Sequence, residues 1–578
     1  MSNSQTPTAF TPSDFSAVQM RETAKSSDRT PPTHFDAVII GAGFAGMYML
    51  HSLRDKLGMS ARVLEAGNGV GGTWYWNRYP GARCDTPSYI YCYTFDRNLL
   101  QEWEWSERYP EQDEILRYLE HCADRFDLKP DIDFGKRVNS TVFDETTNRW
   151  TVRTEQGDAY TARYVIAATG CLTAGNMPKI KGIDTFKGRS YHTSRWPQSG
   201  VDFTAKRVAV IGTGATGVQA VPIIAQQAKQ LTVFQRTPAY CVPARNGKVD
   251  PEVTKARHAN YDQVIDNIRK SFFGFELSFM PKSVLEATQE EREREFDRMW
   301  DQGGFEFWLG NYNDMFFDKR ANDIVSDYVR GKIRSTVNDP VVAEKLIPSY
   351  AYGTKRQPLD TNYYETFNKR NVLLVDAKSD GPIEEITEKG IRAGGKEYEF
   401  DIIVYATGFD AMTGALKALD IKGRGGRSLT QLWEDGPAAY LGVTIAGFPN
   451  LFMITGPQSP SAFSNVPVSI EQHVEWITEC IAHMRRNHLT TIEPTEQAQE
   501  DWGKHVIDLV SMTLVPNTDS WYMGANIPGK AHKFLAYIGP EGVGGYRRHC
   551  DEVSAKGYEG FEFASQGQGG TARTMAAE

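Results

Sequence analysis

The sequence predicts an α/β protein with two Rossmann-like dinucleotide-binding domains, the second of which carries a helical insertion. Two apolar strands run directly into glycine-rich turns, FDAVIIGAGFAG at 35–46 and RVAVIGTGATG at 207–217, and each turn precedes a helix-forming stretch. Two further apolar strands, at 164–170 and 402–410, both contain Ala-Thr-Gly at or near their ends. A strand, a G-x-G-x-x-G turn and a helix in this order are typical of dinucleotide-binding folds. The repeated pattern therefore indicates two such folds in one chain.

Bulk composition restricts the class of protein. The chain has 578 residues, enough for about three or four domains, with 40% hydrophobic residues and a net charge of −9. The negative charge disfavours a nucleic-acid partner, and no apolar run approaches the roughly 18 residues of a membrane span. Seven scattered cysteines without a C-x-x-C pair indicate reduced thiols in the cytoplasm and no metal site. The oligomeric state does not follow from these features.

The first glycine turn has the properties of a site for a dinucleotide with a free ribose diol. Gly41 makes the tight turn, Gly43 lets the backbone approach a pyrophosphate, and Gly46 packs helix against strand. The next apolar strand ends at Glu65, nineteen residues after Gly46, where a carboxylate accepts hydrogen bonds from the ribose hydroxyls.

The second turn differs at the corresponding strand end. Gly212, Gly214 and Gly217 repeat the glycine pattern, but the following strand ends in Gln235-Arg236-Thr237 without an acid. A guanidinium pairs with a 2′-phosphate that a carboxylate would repel, so this site is expected to prefer NADP(H). A solvated surface arginine is the alternative for Arg236. One site whose second strand ends in an acid and one whose second strand ends in an arginine (the arginine-tipped strand) together imply FAD and NADPH, with hydride transfer between them.

The two turns divide the chain into segments. We expect a flexible extension at 1–34, an FAD-binding domain at 35–165 and 401–578, an NADP-binding domain at 166–243 and 351–400, and a helical insertion at 244–350. The 401–578 segment would also contain a region that contacts substrate and NADP. Nothing in the insertion suggests chemistry.

Disulfide reductases also contain two dinucleotide folds, but they need a cysteine pair beside the flavin. Cys84 and Cys92 carry no such motif, so that interpretation is weak.

Two long motifs give the sequence a family resemblance. FKGRSYHTSRWP at 186–197 matches the pattern FxGxxxHxxxWP, and GGTWYWNRYPGARCD at 71–85 matches GGxWxxxxYPGxxxD. On these motifs the chain resembles Baeyer–Villiger monooxygenases from about residue 35 to about residue 563. Flavin-containing and N-hydroxylating monooxygenases are similar in plan but typically lack the Trp-Pro ending and the second motif.

The resemblance implies a reaction. NADPH would reduce FAD, and dioxygen would then give a flavin peroxide that inserts one oxygen into a ketone to form an ester or lactone. Arg356, over the flavin, would hold the developing negative charges, because its proton is not lost in proteins. Asp85 would orient Arg356, Lys355 would reach the NADP phosphate, and His192 would couple movement of the NADP domain to the flavin. A packing histidine at a domain junction is the alternative for His192.

The remaining candidate residues follow from the turns and the resemblance. For FAD they are Gly41, Gly43, Phe44, Ala45, Gly46, Glu65, Gly72, Thr73, Trp74, Asp85 and Tyr91. For NADP they are Gly212, Thr213, Gly214, Ala215, Thr216, Gly217, Gln219, Arg236, Thr237, Lys355, Arg356 and Trp521. The fingerprint residues are Phe186, Gly188, His192, Trp196 and Pro197, and the expected substrate pocket comprises Cys171, Leu172, Ser461, Ala462 and Phe463.

Three other functions stay open at this stage. A heteroatom oxygenase acting on nitrogen or sulfur would need Arg356 less. A non-catalytic flavin sensor or scaffold would be expected to lack Arg356, Asp85 or Arg236. An NADPH oxidase that releases hydrogen peroxide would have the cofactor sites without the two motifs. The identity of the ketone, whether aliphatic, cyclic, aryl or steroid, is not specified by the sequence.

Overall fold

The computed structural model describes residues 33–565, without the side chain of Ala462. Of the predicted extension at 1–34, only residues 33 and 34 are described, and both belong to the first strand. The strands are β1 (Thr33–Ile40), β2 (Ala61–Leu64), β3 (Ile132–Asp133), β4 (Val138–Asp144), β5 (Arg149–Thr154), β6 (Ala159–Ala167), β7 (Arg189–His192), β8 (Arg207–Ile211), β9 (Gln230–Gln235), β10 (Val242–Pro243), β11 (Leu359–Asp360), β12 (Val372–Asp376), β13 (Ile383–Ile386), β14 (Gly390–Ala393), β15 (Lys396–Glu399), β16 (Ile402–Tyr405), β17 (Ile421–Lys422), β18 (Leu451–Met453), β19 (Leu489–Pro494) and β20 (Phe561–Ser565).

The α-helices connect these strands and form the insertion. They are α1 (Phe44–His51), α2 (Thr73–Trp76), α3 (Arg97–Glu102), α4 (Gln112–Arg125), α5 (Ala215–Gln227), α6 (Pro251–Ala259), α7 (Tyr261–Lys270), α8 (Gln289–Gln302), α9 (Glu306–Leu309), α10 (Lys319–Thr336), α11 (Pro340–Leu346), α12 (Tyr363–Thr366), α13 (Gly414–Lys417), α14 (Leu429–Leu432), α15 (Val466–Arg486), α16 (Glu496–Ser511) and α17 (Gly542–Ala555). Among the described residues no helix combines the length and the apolar character that crossing a bilayer requires.

The first sheet is built around the first glycine turn. Its strand order is β17-β4-β5-β6-β1-β2-β3, and β18 pairs with the end of β6. β1 is parallel to β2 and β6, with Ile40 opposite both Leu64 and Ala167. The chain therefore leaves all three strands at one edge of the sheet, where α/β folds bind their ligands.

The second sheet repeats this plan. Five parallel strands lie in the order β12-β9-β8-β16-β7, and Ile211 is opposite both Phe234 and Tyr405. The second glycine turn, the arginine-tipped strand end and the second Ala-Thr-Gly consequently meet at one edge. The antiparallel strands β13–β15 pack on this sheet through residues that include Ile386 and Ile391.

Two predicted boundaries between the nucleotide domains were wrong. β16 belongs to the second sheet, although residues 401–578 were assigned to the FAD-binding domain, and β6 extends to Ala167, beyond the boundary at 165. The physical reason is the same in both cases. The strand that leads into Ala-Thr-Gly pairs with the strand that precedes the glycine turn of its own domain, so the whole of that strand belongs to that domain.

The insertion contains the helices α6–α11 between β10 and β11. In its longest helix, α10, one face buries Ala321, Val325, Val329 and Ile333. The largest hydrophobic cluster is continuous from α1 through β8 to α9. The insertion thus packs against both nucleotide domains.

Candidate active site

The first glycine turn forms a cradle that leaves no space for side chains. Gly41 has φ +106°, and a Cβ there would lie 2.7 Å from the carbonyl oxygen of Ala168. A Cβ on Gly46 would collide with the carbonyl oxygen of Gly41. Helix α1 begins directly after the turn, with neither a capping side chain nor an acid in its first turn. Its N-terminal N–H groups are therefore suited to a diphosphate.

Glu65 lies beside this cradle. Its buried carboxylate accepts hydrogen bonds from the backbone N–H groups of Ala42 at 2.7 Å and Gly67 at 2.6 Å. Burial raises the pKa of Glu65, and these two hydrogen bonds oppose the rise. Because a carboxylate has about four acceptor positions, Glu65 can also accept from the two hydroxyls of a ribose.

The motif at 71–85 packs directly on the first turn. The Gly71 N–H donates to the carbonyl oxygen of Ala42 at 2.9 Å, and a Cβ on Gly72 would lie 2.9 Å from the Cα of Gly43. Trp74 is buried, and its indole N–H donates to the Tyr91 hydroxyl at 3.1 Å. The predicted flavin residues of the motif are thus brought to the first dinucleotide cradle.

The second turn has the same construction with one open position. Gly212 has φ +112° and lies against the carbonyl oxygen of Ala406, and Gly217 lies against that of Gly212. A Cβ on Gly214 would meet no protein atom within 4 Å. The Thr213 hydroxyl donates to the carbonyl oxygen of Thr237 at 2.8 Å, which fixes the turn to the end of β9. Residues Ala215 and Thr216 begin α5, whose first turn has no acid.

Two cations lie close together at the edge of the second sheet. Arg236 is exposed and Lys355 is partly buried, and neither forms an ion pair within 4 Å in the part of the chain that the structure describes. Burial and then the positive charge of Arg236 lower the pKa of Lys355, with Asp519 opposing them. A pair of unneutralised cations fits a phosphate group.

The side-chain amide of Gln219, predicted to contact NADP, is hydrogen-bonded to the first domain instead. Its side-chain oxygen accepts from the Tyr79 hydroxyl at 2.8 Å, and its side-chain nitrogen donates to the carbonyl oxygen of Arg83 at 3.1 Å. Both partners belong to the motif at 71–85. We therefore assign Gln219 to the contact between the two nucleotide domains, since its amide is used there.

Arg356 and Asp85 form the ion pair that the resemblance implied. The Arg356 Nη2 lies 2.7 Å from the Asp85 Oδ2, and the two side chains are 24% and 20% exposed. The guanidinium carbon also lies 4.6 Å from the ring centroid of Phe305 and 5.6 Å from that of Trp308. These rings come from the insertion, a segment in which the sequence had suggested no chemistry.

A cavity of about 320 Å³ lies beside Phe305. Phe305 lines it together with Tyr89, Ile90, Phe275 and Leu277. The same Phe305 ring that stacks on Arg356 therefore forms one wall of this cavity, whose lining also contains the charged residues Arg108, Arg257, Glu276 and Glu306. The run GGFEFWLG at 303–310 was the signal for this contribution, because clustered aromatic residues beside glycines are unusual on a solvated helix.

His192 is a buried, neutral residue. Its Nδ1 lies 2.7 Å from the Ser194 hydroxyl and its Nε2 lies 3.2 Å from the Thr407 hydroxyl. Burial lowers the pKa of His192 to about 4, so the ring carries no charge near pH 7. Because Thr407 belongs to the second Ala-Thr-Gly, His192 ties the end of β7 to the end of β16.

The rest of the fingerprint runs from the second sheet to the first domain. A Cβ on Gly188 would collide with the Phe186 ring, which packs on the second sheet. Farther along the segment, Trp196 is buried, and its ring centroid lies 5.5 Å from that of Tyr191. Pro197 is the next residue in the chain.

The end of this segment contacts α2. Arg195 lies 4.5 Å from the ring centroid of Trp76, and the Gln198 side chain donates to the Tyr75 hydroxyl at 2.9 Å. The fingerprint is thus a physical connection between the two nucleotide domains.

The predicted pocket residues gather around a residue that sequence reasoning missed, Met412. Cys171, Leu172 and Trp521 pack with it, and the Met412 N–H donates to the carbonyl oxygen of Cys171 at 2.8 Å. The Ser461 hydroxyl lies 3.5 Å from the Met412 sulfur. Cys171 directly follows the first Ala-Thr-Gly and Met412 lies four residues after the second. The available signal was that both segments leave their sheets at an Ala-Thr-Gly.

Phe463 extends this cluster to a second missed residue. Its ring centroid lies 4.3 Å from that of Tyr522, which directly follows Trp521 in the chain. The side chain of Ala462, also predicted for the pocket, lies outside the described residues.

Comparisons with known proteins agree with this arrangement. A family model described as pyridine nucleotide-disulphide oxidoreductase matches residues 38–256. A Baeyer–Villiger monooxygenase from Pseudooceanicola batsensis is 45% identical over 534 residues, 92% of this chain and 96% of that protein. The chain belongs to the Baeyer–Villiger monooxygenase family. A phenazine N-monooxygenase from Lysobacter antibioticus is 44% identical over 92% of this chain and 97% of its own length.

A solved structure extends the agreement to three dimensions. The OTEMO complex with FAD and NADP matches this monooxygenase with a TM-score of 0.89 at 42% identity, covering 92% of this chain and all of that one. The predicted α/β fold with two Rossmann-like domains is thereby confirmed. All seven cysteines of the monooxygenase are free, and no two of them form the C-x-x-C motif that the disulfide reductase alternative would favour.

Proposed function

We propose that this monooxygenase uses FAD and NADPH to insert one oxygen atom of dioxygen into a ketone, which gives an ester or lactone. The other oxygen atom leaves as water, with the two electrons supplied by NADPH. The observation that carries this proposal is the Arg356–Asp85 pair, 2.7 Å apart and stacked under Phe305. A fixed cation in a partly dry site stabilises negative charge as it develops on oxygen. Ketone oxygenation requires that stabilisation when the carbonyl oxygen takes up negative charge.

Two groups of residues would hold the cofactors. The first cradle with Glu65 suits FAD, and the second cradle with Arg236 and Lys355 suits NADPH. Bound FAD, once reduced by NADPH, supplies the chemistry that activates dioxygen. The full-length similarity to a protein solved with FAD and NADP supports the same pair of cofactors.

The residues of this chain would perform the remaining tasks. Asp85 orients the Arg356 guanidinium, and the rings of Phe305 and Trp308 restrict its movement and exclude water from one face. Burial lowers the pKa of His192 to about 4, so near pH 7 the ring is a weak base and is not an imidazolium that could donate a proton. We therefore assign His192 to positioning the two domains rather than to proton transfer. Cys171, Leu172, Met412 and Phe463 present a largely apolar surface to the substrate.

The substrate class follows from that surface. An apolar cluster beside one fixed cation suits an uncharged ketone with a hydrocarbon body. We place the reaction in the cytoplasm, because the seven free cysteines are compatible with a reducing compartment.

A substrate panel tests the proposal. The purified flavoprotein would be given NADPH, air and matched aliphatic, cyclic and aryl ketones, while NADPH use, hydrogen peroxide and product mass are followed. We expect ketone-stimulated NADPH use and esters or lactones one oxygen atom heavier than the ketone. NADPH use that ends entirely in hydrogen peroxide across the panel would contradict the proposal.

Oxygenation of nitrogen or sulfur is the second candidate function. The phenazine N-monooxygenase is almost as similar to this chain as the Baeyer–Villiger enzyme is, so overall identity does not separate the two reactions. Amines and thioethers therefore belong in the same panel. Products confined to N-oxides and sulfoxides would replace the ketone proposal with this one.

A further inference from the structure

Tyr522 is a buried side chain with a polar group that has no protein partner. Its side chain is 0% exposed, and its hydroxyl forms no hydrogen bond among the described residues. A buried hydroxyl without a partner costs on the order of 1–3 kcal/mol, so such groups are retained where a ligand satisfies them.

The packing of the ring holds this hydroxyl in one place. The Tyr522 ring centroid lies 4.3 Å from that of Phe463 and 4.4 Å from that of Trp521, and Phe463 packs in turn on Phe534 at 5.8 Å. The carbonyl oxygen of Tyr522 accepts a hydrogen bond from the Leu535 N–H at 2.9 Å. A ring fixed on its faces and at its backbone can direct its hydroxyl with little loss of entropy on binding.

A hydrogen bond brings the segment of Tyr522 to that of Arg356: the Thr518 hydroxyl, four residues before Tyr522, lies 2.8 Å from the Thr354 hydroxyl, two residues before Arg356. The charged groups that act on Tyr522 are Arg356 and Asp85, in opposite directions. Burial is the largest influence and raises the pKa of Tyr522, so the phenol keeps its proton and serves as a donor.

We propose that Tyr522 is a catalytic residue whose hydroxyl donates a hydrogen bond to the carbonyl oxygen of the bound ketone. This inference rests on the proposed function, because it requires a substrate with a carbonyl group. The neighbouring pocket side chains Leu172, Met412 and Phe463 offer no such donor, and the Ser461 hydroxyl is directed at the Met412 sulfur. The phenol therefore orients the ketone within a largely apolar surface. The ketone oxygen then lies between a neutral donor and the Arg356 cation, which supports the same developing charge from two sides.

The experiment compares a ketone with the thioether of the same ring, which has no carbonyl oxygen. Tyr522→Phe would be assayed with cyclohexanone and with thiane, alongside the rate of flavin reduction by NADPH and the melting temperature. We expect kcat/KM for cyclohexanone to fall about 10-fold, as for the loss of one buried hydrogen bond. Oxidation of thiane and flavin reduction should stay within about twofold of the wild type.

Tyr363→Phe is the matched control. Tyr363 is also buried with an unpartnered hydroxyl, but the groups that shift its pKa are Cys241 and Asp360 rather than Arg356. We expect this variant to oxidise both compounds as the wild type does. Such a result would show that removal of a buried hydroxyl alone does not cause the ketone-specific loss.

Three outcomes would overturn the inference. Unchanged cyclohexanone kinetics in Tyr522→Phe would exclude the hydrogen bond while leaving the proposed function intact. Equal losses for cyclohexanone and thiane would assign Tyr522 to packing or to contact with the nicotinamide. A wild-type enzyme that oxidises thiane but no ketone in the panel would overturn the proposed function, and the Tyr522 inference with it.

Discussion

The Arg356 side chain makes two kinds of contact and is still partly accessible to solvent. It pairs with a carboxylate, stacks on two aromatic rings and remains about one quarter exposed. A lysine could not reproduce this setting, because only the planar guanidinium can pair at its edge and stack on its face. The position is therefore specific for arginine rather than for positive charge alone.

Removing that guanidinium should separate the two halves of the reaction. Arg356→Ala is expected to retain flavin reduction by NADPH and to lose ester formation about 100-fold or more, as when an oxyanion donor is removed. Stopped-flow reduction and product analysis would measure the two steps. Arg294→Ala, which removes an exposed arginine of α8, is the control, and full ketone oxidation by Arg356→Ala would remove the assigned role.

Arg236 makes a prediction about the choice of coenzyme. It is exposed beside Lys355, with no carboxylate within 4 Å in the described part of the chain. Arg236→Ala should raise the KM for NADPH by about 10-fold or more and change that for NADH by less than about twofold, since NADH has no 2′-phosphate. Equal changes for both coenzymes would show that Arg236 is the solvated surface residue considered as its alternative.

At the scale of elements, the glycines of one turn have different tasks. Gly212 has φ +112° and contacts the carbonyl oxygen of Ala406, so its missing side chain is required by the fold. Gly214 has φ −78° and no protein atom within 4 Å of an added Cβ. Its missing side chain serves the approach of a diphosphate instead.

Two alanine substitutions distinguish these tasks. Gly212→Ala is expected to destabilise the protein by about 2 kcal/mol or more, because both the backbone angle and the contact are unfavourable. Gly214→Ala should leave the melting temperature unchanged and weaken NADP⁺ binding about 10-fold. Thermal unfolding and NADP⁺ titration of both variants would measure the difference, and unchanged affinity in Gly214→Ala would contradict the assignment.

The elements also show how far sequence reasoning reaches. Both glycine turns could be predicted, because local motifs with fixed spacing specify them. The Arg356–Asp85 pair, whose residues are 271 positions apart, could be predicted only through the family resemblance. The side-chain partners of Gln219 and the stacking of Phe305 on Arg356 could not, because each contact joins residues more than 50 positions apart. The sequence also did not show that β16 belongs to the second sheet, because the order of strands depends on pairing between segments that are distant in the chain.

At the scale of the whole molecule, two buried histidines link stability to pH. Burial lowers the pKa of His192 to about 4 and that of His473 to about 3. His473 accepts a hydrogen bond from the Thr455 N–H at 2.8 Å and has the Tyr546 hydroxyl 2.7 Å from its other nitrogen. In the unfolded chain these two histidines bind protons near pH 6.5, whereas in the folded protein they stay neutral down to their lowered pKa values.

The contribution of these two histidines to the free energy of unfolding should consequently fall as the pH falls below about 6.5. The contribution of each histidine is complete above the unfolded pKa and decreases by about 1.4 kcal/mol per pH unit towards the folded pKa. Burial raises the pKa of Asp360 to about 7 and also raises that of Glu65 and of Glu471, which acts in the opposite direction. Denaturant unfolding of wild type and His473→Gln at pH 7 and pH 5 isolates one histidine, and we expect the variant to have the shallower pH dependence. Equal slopes would contradict the assignment.

The connection between the nucleotide domains has a consequence for recombining relatives of this enzyme. Arg195 on Trp76, Gln198 on Tyr75 and Gln219 on Arg83 each join a residue of the second domain to the motif at 71–85. A chimera that takes its NADP-binding domain from another family member would separate all three pairs unless the donor has the same partners. A chimera designed to change the coenzyme preference should therefore take residues 71–85, the segment 186–198 and the start of α5 from the same parent enzyme.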